Sequence, residues 1–368
     1  MLNRLFAVSI WLPLILLACE DSPRREFVSE DITRYVLSVT DSIGVESGDS
    51  HSAFGSVYSV ENGCQGNVFV LDVCDNTVKE FDRNGQFLRS YGGAGSGPLE
   101  LSMPGYFTVT SDNNLYVIDS GQFVEYYPDG TLLRRGELGQ NENIQSVEPL
   151  SRGRILGILS EYDIRENRQF IVNRIAIWQD TLPETTKTYL FEREYELSPG
   201  DVMNSITRID YFPILFAGSE NLICIAPDPV NLPVLYRFTS TGSPVDTIQL
   251  PYERVLKTQQ ELIDEKLFIE HAVYTNSFGN VSINWTPEPF RPLVRSLGFD
   301  SMGVLWVQRG DSTTPTFDLI NSDGEIVASA ELEGRENTLY WLFEIDPAGI
   351  IAFDQDPVDY QRVFLMDY

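Results

Sequence analysis

Histidine is almost missing from these 368 residues, with His51 and His271 the only two. A zinc site built on several imidazoles is therefore excluded, and no His-Glu-x-x-His run occurs. The chain also lacks a Gly-x-Ser-x-Gly nucleophile turn and the Gly-Lys-Ser/Thr ending of a phosphate-binding loop. Cysteine is sparse, at four residues, which is too few for a disulfide framework. Basic side chains number 26 against 54 acidic ones, a net charge of -28 with no basic stripe. Such a surface repels phosphate backbones and anionic lipid, so nucleic acid is excluded as a partner. Long apolar runs are confined to Leu5–Leu17, which falls short of the roughly 20 residues needed to span a bilayer.

What the sequence has instead is repetition. Asn67-Val68-Phe69-Val70-Leu71-Asp72, followed by Val78 to Arg89, returns as Asn114-Leu115-Tyr116-Val117-Ile118-Asp119, followed by Phe123 to Arg134. The Asp recurs after 47 positions and the turn Gly (Gly85, Gly130) after 45. Short strands and tight turns at that period predict propeller blades. Weaker copies begin at Asn221, Gly303 and Gly349, and a divergent one lies around Arg154–Ile158 and Phe170–Trp178. The last copy stops at Tyr368, one strand short, while Arg34–Thr40 is an unassigned strand. The expectation is an all-β fold, a six-bladed β-propeller over residues 33–368, closed by an N-terminal strand that completes the last blade. Asp72 and Asp119 end equivalent strands and are expected to satisfy backbone turns.

The run Gly92-Gly93-Ala94-Gly95-Ser96-Gly97-Pro98-Leu99-Glu100-Leu101, with Pro104 after it, resembles the inter-blade linker of NHL-type six-bladed propellers. The match is strongest over residues 52–135 and returns at Phe299–Val307. The chain is most similar to six-bladed propeller lipoproteins of Bacteroidota and related bacteria. That resemblance implies the fold and says little of chemistry.

The first residues read as an export signal. Arg4 precedes the apolar run, which ends in Leu16-Leu17-Ala18-Cys19, and this resembles the lipobox of bacterial lipoproteins. Residues 1–18 are expected to be a signal peptide, Cys19 the lipidated residue, and 19–32 a polar tether. Glu20-Asp21 resembles the surface-export signals of Bacteroidota lipoproteins. The expected location is the cell envelope, lipid-anchored to the outer membrane, with periplasmic face and cell surface both open. Of the remaining cysteines, Cys64 and Cys74 flank a strand whose length argues against a bridge, and Cys224 sits among apolar neighbours.

Residues 252–294 break the repeat between blades 4 and 5. Glu253–Ala272 has apolar residues at helical spacing, so the insertion is expected to be partly helical. Insertions map to one face of such a ring, and Trp285, Phe290 and Arg291 are the candidate binding residues there. His271 reads as a helix residue. The function expected is a non-catalytic binding or interaction scaffold whose partner is a protein, a small molecule or a glycan. The alternative is a metal-dependent, calcium-type hydrolase or lyase with its site in the central channel. No catalytic residue or metal ligand is assigned, and calcium is the one cofactor left open.

Overall fold

Val68–Asp72 and Leu115–Asp119 are apolar without alternation up to their closing aspartates, and both are buried along their whole length. Only a strand covered on both faces calls for such a run. In each repeat it is the second strand of an antiparallel sheet of four. The structure, a computed structural model, describes residues 32–48, 51–138, 143–151, 153–166, 168–179, 187–196, 214–275, 287–335, 338, 340–355 and 360–368. Four of its sheets have four strands in chain order. They are β2 to β5 (Val57–Asn62, Val68–Asp72, Thr77–Phe81, Phe87–Gly92) and β6 to β9 (Pro104–Val109, Leu115–Asp119, Gln122–Tyr126, Leu132–Glu137). The others are β10 to β13 (Asn143–Leu150, Arg154–Arg165, Arg168–Gln179, Thr188–Glu196) and β14 to β17 (Leu215–Gly218, Leu222–Ala226, Val234–Thr239, Pro244–Gln249). Fourth strands such as β5 and β17 carry the exposed residues.

The near-identical stretches encode the same polar contacts twice. Asn67 Nδ2 donates to Glu80 at 2.6 Å, and Arg89 pairs with Glu80 at 3.1 Å. One repeat later Asn114 donates to Glu125 at 3.3 Å, and Arg134 pairs with Glu125. Both carboxylates are buried, and a buried charge is tolerated only when paired and hydrogen-bonded in this way. The hairpin glycines Gly85 and Gly130 adopt φ of 72° and 86°. Each sits beside a register shift in its strand pair, the bulged hairpin that a left-handed residue permits. The glycine-rich run after Gly92 folds back on itself, with Leu101 fully buried and Arg135 bonded to the carbonyls of Gly97 and Glu100 at 2.8 and 3.0 Å.

The remaining strands correct the expectation of six separate blades. β1 (Thr33–Ile43), β18 to β21 (Val294–Phe299, Leu305–Arg309, Thr316–Ile320, Ile326–Leu332) and β22 to β24 (Trp341–Asp346, Gly349–Asp354, Val363–Asp367) form one sheet of eight. The sheets are thus four of four strands and one of eight. The cause is the length of β1. Its Ser38–Ile43 half pairs antiparallel with β24, and its Thr33–Leu37 half pairs parallel with β21. At 11 residues it is about twice a usual strand, so it fuses two neighbours where the repeat count implied a boundary.

Apolar wedges between consecutive sheets hold the ring together. Phe69, Leu71 and Tyr91 pack on Phe107, Leu115 and Val117 in one of them. Another joins Val57, Val70 and Phe81 to Ile351, Phe353 and Val363, so the last strands close on the first. The eight-stranded sheet folds over a wedge of Trp306, Phe317, Trp341, Phe343 and Leu37.

Within the 252–294 insertion one helix is described, α1 (Gln259–Thr275). It starts later than the Glu253 read from periodicity, because Thr258 and Glu261 form a capping box: Glu261 accepts the Thr258 N–H at 2.8 Å, and the Thr258 hydroxyl accepts the Glu261 N–H at 3.2 Å. Before it, Leu256 makes an isolated antiparallel bridge to Phe290. Phe268 stacks on Tyr340 at 4.5 Å, and Lys257 pairs with Glu265 at 2.7 Å in a buried contact. No described helix is long and apolar enough to cross a membrane.

Candidate functional site

The first strands β2, β6, β10, β14, β18 and β22 line a central cavity of about 430 Å³. They run in the same direction, since their ends meet. Glu61, near the end of β2, accepts the N–H of Val109 at the end of β6 at 2.8 Å. Glu148 of β10 accepts the N–H of Gly218 at the end of β14, also at 2.8 Å. Asn62 donates to Asp346 at the end of β22 at 3.0 Å. Side chains at one end of the channel therefore bind successive inner strands to each other.

These acids are electrostatically linked. Desolvation pushes Glu148 up, the Gly218 N–H opposes this and the Asp346 charge adds to it, leaving a pKa of about 8. Glu61 is raised well above the usual range, again chiefly by desolvation, despite the Val109 N–H. Asp346 is raised for the same first reason. An acid that keeps its proton in the folded state but loses it near its ordinary 4.5 when unfolded makes folding take up a proton. Its stabilising contribution is complete below about pH 4.5 and disappears as pH rises through about 8. The melting temperature should accordingly fall between those limits. Glu148→Gln, which retains an acceptor for the Gly218 N–H, should flatten that profile. A profile as steep as the wild type would show that Glu148 does not carry the effect.

The other end of the channel is overhung. β11 and β12 are 12 residues each, and their pairing continues from Ser160–Asn173, opposite the start of β10, out to Arg165–Arg168. β13 pairs along this extension as far as Glu196. Tyr162, Ile171 and Tyr195 are opposite one another in register and line the cavity mouth. The helix α1 is tied to Tyr340, which leads into β22, through Phe268 and through Tyr340 OH bonded to the Asp264 carbonyl at 3.3 Å.

The residues expected to bind are placed elsewhere or not described. Trp285 lies outside the described residues. The Phe290 ring is covered by the Arg254 guanidinium at 3.9 Å. Arg291 grips Glu261 at 2.8 and 3.0 Å and bonds the Asp311 carbonyl at 2.6 Å. Desolvation raises Glu261, but Arg291 and Thr258 more than offset it, bringing its pKa to about 2. Neither Phe290 nor Arg291 lines the cavity. Asp72 and Asp119 do bind backbone, as their strand-end positions suggested. Asp72 accepts the N–H groups of Gly55 and Ser56 at 3.0 Å, and Asp119 those of Ser102 and Met103 at 2.9 and 2.7 Å. Cys64, Cys74 and Cys224 are all free thiols.

The cavity residues Tyr58, Glu61, Tyr106, Glu148 and Arg295 were not singled out in the sequence. Their signal is faint: each is a polar or aromatic residue on the strand preceding an apolar run, a position that only ring closure turns toward the axis.

No protein-family model matches the chain, and no curated protein matches it in sequence. The solved structures similar to it include an exported protein from Bacteroides fragilis, at a TM-score of 0.48 and 12% identity, covering 91% of this chain and 98% of that one. Virginiamycin B lyase from Staphylococcus aureus gives a TM-score of 0.42 at 13% identity, covering 87% and 81%. Regucalcin, a calcium-binding protein from Agrobacterium tumefaciens, gives 0.43 at 12%, covering 90% and 95%. The sheets and their closure described above make the described residues a β-propeller.

Proposed function

We propose that the protein is a lipid-anchored, non-catalytic binding protein of the bacterial cell envelope that takes a small ligand into its central channel. The observation that carries this is the cavity itself. Its volume of about 430 Å³ lies within the roughly 300–1,000 Å³ usual for small-molecule sites. Its wall combines aromatic and aliphatic side chains with a few convergent polar groups, the composition that fixes a ligand's orientation. Leu16-Leu17-Ala18-Cys19 supports the anchor. A metal-dependent hydrolase or lyase would need several ligands converging on one ion. The mixed aromatic, aliphatic and polar wall of the cavity supports binding, and that reading is the one carried forward.

The full-length protein in detergent, screened by thermal shift against neutral oligosaccharides, amines, dicarboxylates and short peptides, should respond to at least one class. Gln145→Trp, which fills the channel from β10, should remove the response. If no class responds, or if the plug has no effect, the channel reading fails. Radiolabelled palmitate should enter the wild type and not Cys19→Ala; equal labelling would refute the anchor.

A further inference from the structure

The channel wall sets a few hydroxyls and amides among aromatic and aliphatic side chains. The Tyr58 and Tyr106 hydroxyls meet at 3.3 Å between β2 and β6, and Asn143 and Gln145 line the β10 side. The overhanging arm sorts its side chains by face. On one face Arg165 pairs with Asp163 and Glu194 at 2.6 and 2.8 Å, Arg168 pairs with Glu196 at 3.1 Å, and both guanidiniums cover Phe170. The other face holds Tyr162, Ile164, Ile171 and Tyr195, since alternate residues of a strand share a side. Tyr162 and Ile164 are 59% and 71% exposed. Ile171 is buried and Tyr195 is half-buried beneath the Arg193 guanidinium at 5.8 Å, so Tyr162 and Ile164 are the exposed apolar side chains beside the cavity mouth.

The chemistry of the wall narrows what can cover it. Among the described residues an anion would find Arg295 as the one cation of the wall, with Glu344 also there, in a chain of net charge -28. A cation would need Glu61 and Glu148 ionised, and the burial of both opposes that. A neutral polyol meets neither difficulty. The C–H face of a sugar ring lies on an aromatic ring, while its hydroxyls, each donor and acceptor, match tyrosine hydroxyls and side-chain amides that are also both. Resting on the channel-binding reading above, we infer that the ligand is a neutral oligosaccharide, held in the channel by Tyr58, Tyr106 and Gln145 and at its mouth by Tyr162 and Tyr195.

Titration calorimetry on the full-length protein in detergent tests this. The probes are neutral tri- and tetrasaccharides of glucose, galactose, mannose and xylose in α and β linkage, with glucosamine and galacturonate oligomers and a polyamine as charged controls. At least one neutral series should bind with a Kd below about 1 mM. Tyr162→Ala should weaken that binding about tenfold without moving the melting temperature, because the side chain is exposed. Tyr58→Phe, lacking only the hydroxyl, should weaken it as well. Binding confined to a charged control, and lost in Gln145→Trp, would overturn the inference while leaving the channel reading intact. Saccharide binding that survives both Tyr162→Ala and Gln145→Trp would also overturn it. If nothing binds at all, both readings fall.

Discussion

Leu37→Asp should yield no folded protein, and Leu37→Ala should lower unfolding stability by about 2–5 kcal/mol. Leu37 is fully buried in the middle of β1, at the last residue of its pairing with β21 and just before its pairing with β24 begins. Its side chain packs within the wedge of Trp306, Phe317 and Phe343, over which the eight-stranded sheet folds. Truncation opens a cavity that so many large side chains cannot refill, and a carboxylate there would be an unpaired buried charge. Domains are stable by only about 5–15 kcal/mol, so the first variant is left marginal and the second without a native state. Val36 supplies the control. It precedes Leu37 on the same strand but is 55% exposed and opposite Glu331, so Val36→Lys should change stability by no more than about 0.5 kcal/mol. Urea denaturation of the three variants checks the expectation. Comparable losses at both positions would mean that β1 is not held by its buried face.

Asp72→Ala should cost about 3–5 kcal/mol, the usual cost of removing one partner from a buried pair. Asp72 is fully buried and accepts N–H groups from Gly55, Ser56 and Cys74, together with the Lys79 ammonium at 2.9 Å. Alanine would orphan those donors and leave Lys79, itself 3% exposed, with only the exposed Asp75. The equivalent Asp119→Ala should cost less. Its cation, Arg135, keeps the carbonyls of Gly97 and Glu100 and the side chain of Gln122 as acceptors. The comparison sets the two backbone donors that each aspartate binds against what differs, the cation and the further Cys74 N–H on Asp72. Equal losses, measured by the same denaturation, would assign the whole effect to the backbone.

The period of the chain was legible because each repeat has to specify its own strands. Apolar runs such as Val68–Leu71, asparagine–glycine and aspartate–glycine turns, and the Asn67/Glu80/Arg89 set returning as Asn114/Glu125/Arg134 are local or near-local instructions. The strand-end role of Asp72 and Asp119 could be read for the same reason. The number of separate sheets could not, because it depends on which neighbours an 11-residue strand meets, and one of its partners begins almost three hundred residues away. The insertion gave up its helix but not its contacts. Arg291 was a candidate because insertions map to one face of the ring, and Glu261, 30 residues earlier, holds it.

By itself, then, the sequence determined the building unit: short apolar strands, bulged hairpin turns, buried polar sets that repeat with them, and an acidic composition. Tertiary structure alone decided that β1 joins two neighbours, that β11 and β12 run past the ring, and that Glu61, Glu148 and the channel tyrosines face one another. The physical reason is range. Turns and buried strands are encoded by residues adjacent in the chain, while a cavity wall assembled from one strand of every repeat exists only after the ring has closed.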